Sequence, residues 1–214
     1  MMLHELEDFN LFPSVLQKYQ MENIGIMVDI LQLYKPIAIK IDEILAVADN
    51  KKIIDLCGGS GLPAIYISKK LKKSEVTTTL TDIYPQSTPT LINVNYSPES
   101  IDVFDIVPDD SNLYTMYNSF HHFTEHGQKK LINRMVSNNS PFIFVEILKQ
   151  GLLSLLQVFV ASTVGVILLT PIIRPFKWHR ILFTYILPVN VLTVLTDGII
   201  SVFKSKSQKN TKNT

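Results

Sequence analysis

The stretch that most constrains this chain is Lys51-Lys-Ile-Ile-Asp-Leu-Cys-Gly-Gly-Ser-Gly-Leu-Pro63. An apolar run ends in an acid, turns through three glycines and meets a proline suited to the first turn of a helix. Ile53, Ile54 and Leu56 read as a buried strand, Gly58 to Gly61 as a tight turn, and Pro63 to Leu71 as a helix. Val76 to Thr81, rich in β-branched residues, then delivers Asp82 at its carboxyl end, which completes a βαβ unit.

The same alternation continues. A third strand is expected from Ser100 to Phe104, a fourth from Leu113 to Tyr117, a helix from Glu125 to Val136, and a fifth strand from Pro141 to Ile147. This order predicts an α/β fold, a doubly wound and mostly parallel Rossmann-like sheet. Apolar residues at three- and four-residue steps make the first fifty residues helical, either simple packing helices or a cap over a pocket. The expected divisions are an N-terminal helical cap over 1–50, an α/β core over 51–150, a hydrophobic, helical annex over 151–203, and a disordered basic tail over 204–214.

Charge is divided as unevenly as hydrophobicity. Residues 1–146 carry 12 Lys/Arg against 18 Asp/Glu, whereas residues 147–214 carry 8 against the single Asp197. The positive residues flank apolar runs instead of lying on a polar surface with interleaved aromatics, which argues against nucleic acid and for a lipid surface. The one cysteine, Cys57, excludes an internal disulfide and a multi-cysteine zinc centre, and no metal site is expected. With three acids and no apolar core in Met1 to Asp8, a cytoplasmic location is expected, with membrane association as a further possibility.

Gly59-Ser-Gly61-Leu-Pro-Ala64 satisfies a dinucleotide fingerprint, and Asp82 lies 21 residues beyond Gly61, where a ribose-binding acid belongs. A nicotinamide cofactor is therefore one candidate, and with it an oxidoreductase. A carboxylate at Asp55 would repel a pyrophosphate and attract a cation. That favours S-adenosylmethionine, which carries an ammonium and a sulfonium and no phosphate.

Asp55-Leu-Cys-Gly-Gly-Ser-Gly61 resembles the first motif of class I S-adenosylmethionine-dependent methyltransferases, with Cys57 where the first glycine usually stands. Asp82 resembles that family's ribose acid, Asp102 or else Asp105 the adenine-side acid after the third strand, and Asn118-Ser-Phe-His-His-Phe123 the fourth-strand motif of many small-molecule methyltransferases. The resemblance covers about residues 50–147, with outlying landmarks at Tyr34-Lys-Pro36 and Asp197-Gly198. It implies a cofactor site at Asp55, Cys57, Gly58, Gly59, Gly61, Asp82, Asp102 and Asn118, and methyl transfer to a small-molecule or lipid-like acceptor. His121 or His122 could take the acceptor's proton, or both could pack against Phe120 and Phe123. A non-catalytic, membrane-associated relative is the other alternative.

Class I sheets end in an antiparallel strand pair. Here Val191 to Leu195 and Ile199 to Phe203 could form a substitute hairpin around Thr196-Asp-Gly198, or the terminal strands are absent. Gly151 to Ile173 is 23 residues without a charge, long enough to cross a bilayer core, yet diluted by Ser, Gln and Thr. Core packing, a substrate lid and membrane contact are all consistent with it. Positive charge at both ends of the apolar segments gives no clear orientation, so peripheral contact through 151–203 is expected over a crossing.

Overall fold

The structure is a computed structural model that describes residues 5–6, 9, 11–47, 52–73, 75–85 and 93–205. The basic tail from 206 onward lies outside the described residues, as do Asp49-Asn50, expected to end the third of the N-terminal helices. The chain divides into two compact units: residues 32–147 form one, and residues 1–31 together with 148–214 form the other. The division falls inside the N-terminal helical segment, so its two helices part company.

The first unit is the predicted sheet. Its elements are α2 (Lys35–Val47), β1 (Lys52–Leu56), α3 (Leu62–Ser68), β2 (Thr77–Asp82), β3 (Val94–Ser100), β4 (Leu113–Tyr117), α4 (Glu125–Ser137) and β5 (Phe142–Val145). The five strands run in the order β3-β2-β1-β4-β5, every pair parallel. From β1 the chain winds outward through α3 to β2, and from β4 it winds the opposite way through α4 to β5. Right-handed crossovers in opposite directions put α3 and α4 on opposite faces and leave a switch point between β1 and β4. Ligands of such sheets bind at the carboxyl ends beside that point.

The core forms where periodicity and burial agree. Leu131 and Met135 of α4 pack against Leu56, Tyr114 and Met116 from the strands and Val103 from the loop before β4. Phe104, Phe120 and Phe144 close the edge of that cluster. Thr124 caps α4, accepting from Gly127 N at 3.2 Å, and Glu125 in its first turn favours the positive end of the helix dipole.

Two expectations need correction. The third strand is Val94–Ser100, not 100–104, which is a loop. Asn95, Ser97, Pro98 and Glu99 hide it, and such a strand is tolerated because β3 is the sheet's edge, where an unbonded proline costs little. The proposed hairpin does not form either: Val191 to Phe203 lies within one helix, and among the described residues no strand follows β5. β5 is accordingly an edge strand, half-buried along its length, not a central buried one.

The second unit is helical. α1 (Ser14–Leu31) is one continuous helix. α5 (Leu152–Val160) passes through a π turn at Ala161–Gly165 into α6 (Val166–Leu169). α7 (Trp178–Ile181) runs through a second π turn, Leu182–Ile186, and then bends by 73° into α8 (Val189–Lys204). α8 packs against α1 and α5. Gly198 allows the second contact, because a Cβ there would lie 2.6 Å from Val158 Cγ1.

Candidate functional site

β1 and β4 are adjacent, and their register pairs Asp55 with Thr115. Thr115 Oγ1 donates to Asp55 Oδ1 at 2.8 Å inside the sheet, and Thr81 Oγ1 donates to the Asp55 carbonyl at 3.0 Å. Asp55 is only 2% exposed. Burial, reinforced by the nearby Asp82 and opposed by the Thr115 hydrogen bond, pushes its carboxyl up to about 8. The repulsion of a pyrophosphate expected at Asp55 is therefore weaker than for an ordinary carboxylate, until a cation beside it favours the charged form.

The turn after β1 takes a left-handed path. Cys57, Gly59 and Gly61 have φ of 54°, 50° and 71°. Glycine reaches that region without strain, which explains the glycines and makes Cys57 the strained member. A Cβ on Gly58 would come within 3.3 Å of Asp55 Oδ2 and of Leu80 Cβ, whereas one on Gly59 would meet nothing within 4 Å. A side chain at Gly58 would therefore be tightly packed, whereas Gly59 faces open space.

Asp82 closes the turn from β2. Its Oδ2 accepts from Gly59 N at 2.9 Å and its Oδ1 from Tyr84 N at 2.9 Å, while Gly58 N donates to Thr81 O at 2.9 Å. Tyr96 of β3 donates to the Gly59 carbonyl at 3.1 Å. The acid and the glycine turn, 21 residues apart in sequence, are therefore one local structure. Asp102 lies beyond β3, where its Oδ1 accepts from Phe104 N at 2.9 Å, and its charge joins Asp82 and Asp55 in opposing ionisation of Cys57. Burial leads those causes and takes the thiol up to about 12, so Cys57 is not a nucleophile.

At the end of β4, Asn118 sits at φ 53°, a left-handed position that asparagine tolerates. Its Oδ1 accepts from Ile147 N at 3.0 Å, and its Nδ2 donates to the Tyr34 hydroxyl. Tyr34 is buried, stands edge-on to Tyr117 with ring centroids 5.6 Å apart, and has its hydroxyl raised well above the usual phenol range, chiefly by burial. Asn118 therefore braces the strand ends and Tyr34. Ser119 Oγ donates to the Cys57 carbonyl at 3.2 Å, which ties this loop to the glycine turn.

His121 and His122 occupy a short 3-10 turn, Phe120–His122, with ring centroids 4.5 Å apart. The residue the sequence reading missed is Glu146, just past β5. Its Oε1 accepts from Phe120 N at 2.8 Å and His121 N at 3.2 Å, and its Oε2 lies 2.7 Å from His121 Nδ1. A carboxylate there fixes the tautomer with hydrogen on Nδ1 and the acceptor lone pair on Nε2. An acid ending an otherwise apolar strand was the available signal.

A five-stranded parallel sheet with a glycine turn, an acid at the tip of β1 and a second acid at the tip of β2 is a Rossmann-like architecture. Residues 2–91 match the model of the ubiE/COQ5 methyltransferase family, a class I methyltransferase family. The match runs from the N-terminal helices through β2 and includes the glycine turn and Asp82. Among curated proteins nothing matches the chain.

Proposed function

We propose that this protein is an S-adenosylmethionine-dependent methyltransferase acting on a small-molecule or lipid-like acceptor. The observation that carries the proposal is the Gly59 N to Asp82 contact. It brings the glycine turn and the second-strand acid together at the carboxyl ends of β1 and β2, beside the switch point, in the segment matching a methyltransferase family. Two observations support such a ligand: the turn faces open space at Gly59, and two acidic side chains, Asp55 and Asp82, adjoin the turn.

Gly58, Gly59 and Gly61 let the backbone approach the ligand, Asp82 receives ribose hydroxyls, and Asp55 gains its charge beside the ligand's cationic end. Asp102 provides the acid for the adenine side. When bound, S-adenosylmethionine supplies an electrophilic methyl on a sulfonium that leaves as a neutral thioether. His121 Nε2 takes the proton of an acceptor hydroxyl or ammonium, while Glu146 holds Nδ1–H and balances the imidazolium that forms. Asn118 keeps the end of β4 in place through Tyr34 and Ile147.

One observation keeps a nicotinamide cofactor as the second reading. Burial pushes the Asp55 carboxyl up to about 8, which weakens the charge standing against a pyrophosphate. Incubating the purified protein with S-adenosylmethionine labelled on its methyl group and with metabolite and lipid fractions of a cell extract separates the outcomes. Label in an organic product supports methyl transfer. No product in any fraction, with hydride exchange from a nicotinamide instead, overturns it.

A further inference from the structure

The helical unit has its polarity reversed relative to a water-facing bundle. Along α5 and α6 the inward stripe is Ser154, Val158, Ser162 and Val166, at four-residue steps and none more than 9% exposed. The outward stripe is larger and more apolar: Leu152, Leu153, Leu156, Phe159 and Leu168 are between 54% and 83% exposed. A soluble core helix would bury the leucines and expose the serines. Over Leu152–Leu169 only 17% of the segment is buried although its mean hydropathy is 2.4.

The interior carries the polar groups. Asn23, Thr170, Thr184 and Asn190 are buried and hydrogen-bonded: Thr170 Oγ1 donates to Asn23 Oδ1 at 3.2 Å, and Asn190 Nδ2 to Thr184 Oγ1 at 3.1 Å. Asp197 Oδ2 accepts from Gln20 Nε2 at 2.8 Å. Arg180, 1% exposed, is held by Glu22 and by the carbonyls of Ile173 and Pro175 at 2.7 and 2.9 Å. Polar residues facing inward, large apolar residues facing outward and close approach at small residues such as Gly198 are how helices pack in hydrocarbon, where burying leucine gains nothing.

We propose that this helical unit is embedded in a lipid bilayer, with the outward face of α5 and α6 against the acyl chains. The uncharged helix Leu152–Leu169 has 18 residues, hence a length of about 27 Å at 1.5 Å per residue, close to a hydrocarbon core of about 30 Å. Exposed cations stand just beyond each end, Lys149 on one side and Arg174 on the other. Near Arg174, Phe176 and the 74% exposed Trp178 add the aromatic pair that favours the headgroup boundary. This goes past the peripheral contact expected from sequence, and it is independent of whether the sheet unit transfers methyl groups.

Flotation of the purified full chain with lipid vesicles tests it. The chain is expected to float with neutral phosphatidylcholine vesicles and to stay with them in about 1 M salt, where the Debye length is about 3 Å, because apolar contact is not screened. Leu153→Asp with Leu156→Asp, both on exposed side chains, should lose flotation while circular dichroism stays helical, and Val136→Asp on α4 should float like the parent chain. Flotation only with anionic phosphatidylglycerol at low salt would overturn embedding in favour of surface attraction. A chain that stays at the bottom as a dimer would overturn it in favour of a second copy covering the face.

Discussion

Thr115 Oγ1 donates to Asp55 Oδ1 at 2.8 Å across the β4–β1 pair, a side-chain hydrogen bond to a buried acid. It cannot offset the burial, and the carboxyl is pushed up to about 8. The folded chain therefore keeps a proton that the unfolded chain loses near pH 4. The resulting stability is fully present below about pH 4 and is lost as pH rises through about 8, with a slope of at most about 1.4 kcal/mol per pH unit. Asp55→Asn, which needs no proton to stay neutral, should flatten that slope in chemical denaturation measured between pH 5 and pH 9. An unchanged slope would show that Asp55 is ionised when folded.

Cys57 is strained where its neighbours are not, because it carries a Cβ at φ 54°. At an ordinary strand or helix site, Gly for Ala costs stability. Here Cys57→Gly should be more stable than Cys57→Ala by about 1 kcal/mol, the rough cost of the left-handed region. Denaturation of the two variants compares them directly, and a more stable alanine variant would contradict the backbone account.

Glu146 joins two backbone donors and His121 Nδ1 in one contact. Removing it in Glu146→Ala should cost about 1–3 kcal/mol per donor left buried without a partner. Glu146→Gln should keep most of the stability, yet let His121 turn to the wrong tautomer and lower turnover with little change in KM for the methyl donor. His121→Ala should lower turnover by about 10²-fold or more if the imidazole takes the acceptor's proton. Loss of turnover in His122→Ala with full activity in His121→Ala would reverse the assignment.

Much of this was legible in the sequence, and the exceptions have physical causes. β1, β2 and β4 announce themselves because they are central strands, apolar or β-branched and ended by functional residues. β3 is hidden because an edge strand tolerates Pro98 and polar neighbours. The supposed hairpin at Thr196-Asp-Gly198 is a helix because Thr193, Val194 and Asp197 share a buried side at helical spacing, and Gly198 is there for Val158 and not for a turn. The protonation of Asp55 depends on burial by a neighbouring strand, which residue order does not contain. Glu146 reads as the end of an apolar run until the fold returns it to the histidine turn.

Asn118 was expected at the methyl donor and is found engaged on both sides of its amide. Asn118→Ala removes both the acceptor for Ile147 N and the donor to Tyr34, so a loss of about 1–3 kcal/mol is expected. Asn118→Gly keeps the backbone and loses both bonds, and it should cost less than Asn118→Val, which strains φ as well. Thermal unfolding of the three variants ranks them. No loss in any of the three would show that neither the side chain nor the backbone position is important.

The most direct test is calorimetric titration of the purified chain with S-adenosylmethionine and, separately, with NAD. Binding of S-adenosylmethionine is expected, lost in Gly59→Val and in Asp82→Ala without unfolding, and tighter by up to about tenfold per pH unit as pH rises toward 8 while Asp55 releases its proton. Binding of NAD with no heat from S-adenosylmethionine, or S-adenosylmethionine affinity untouched by Gly59→Val and Asp82→Ala, would contradict the site.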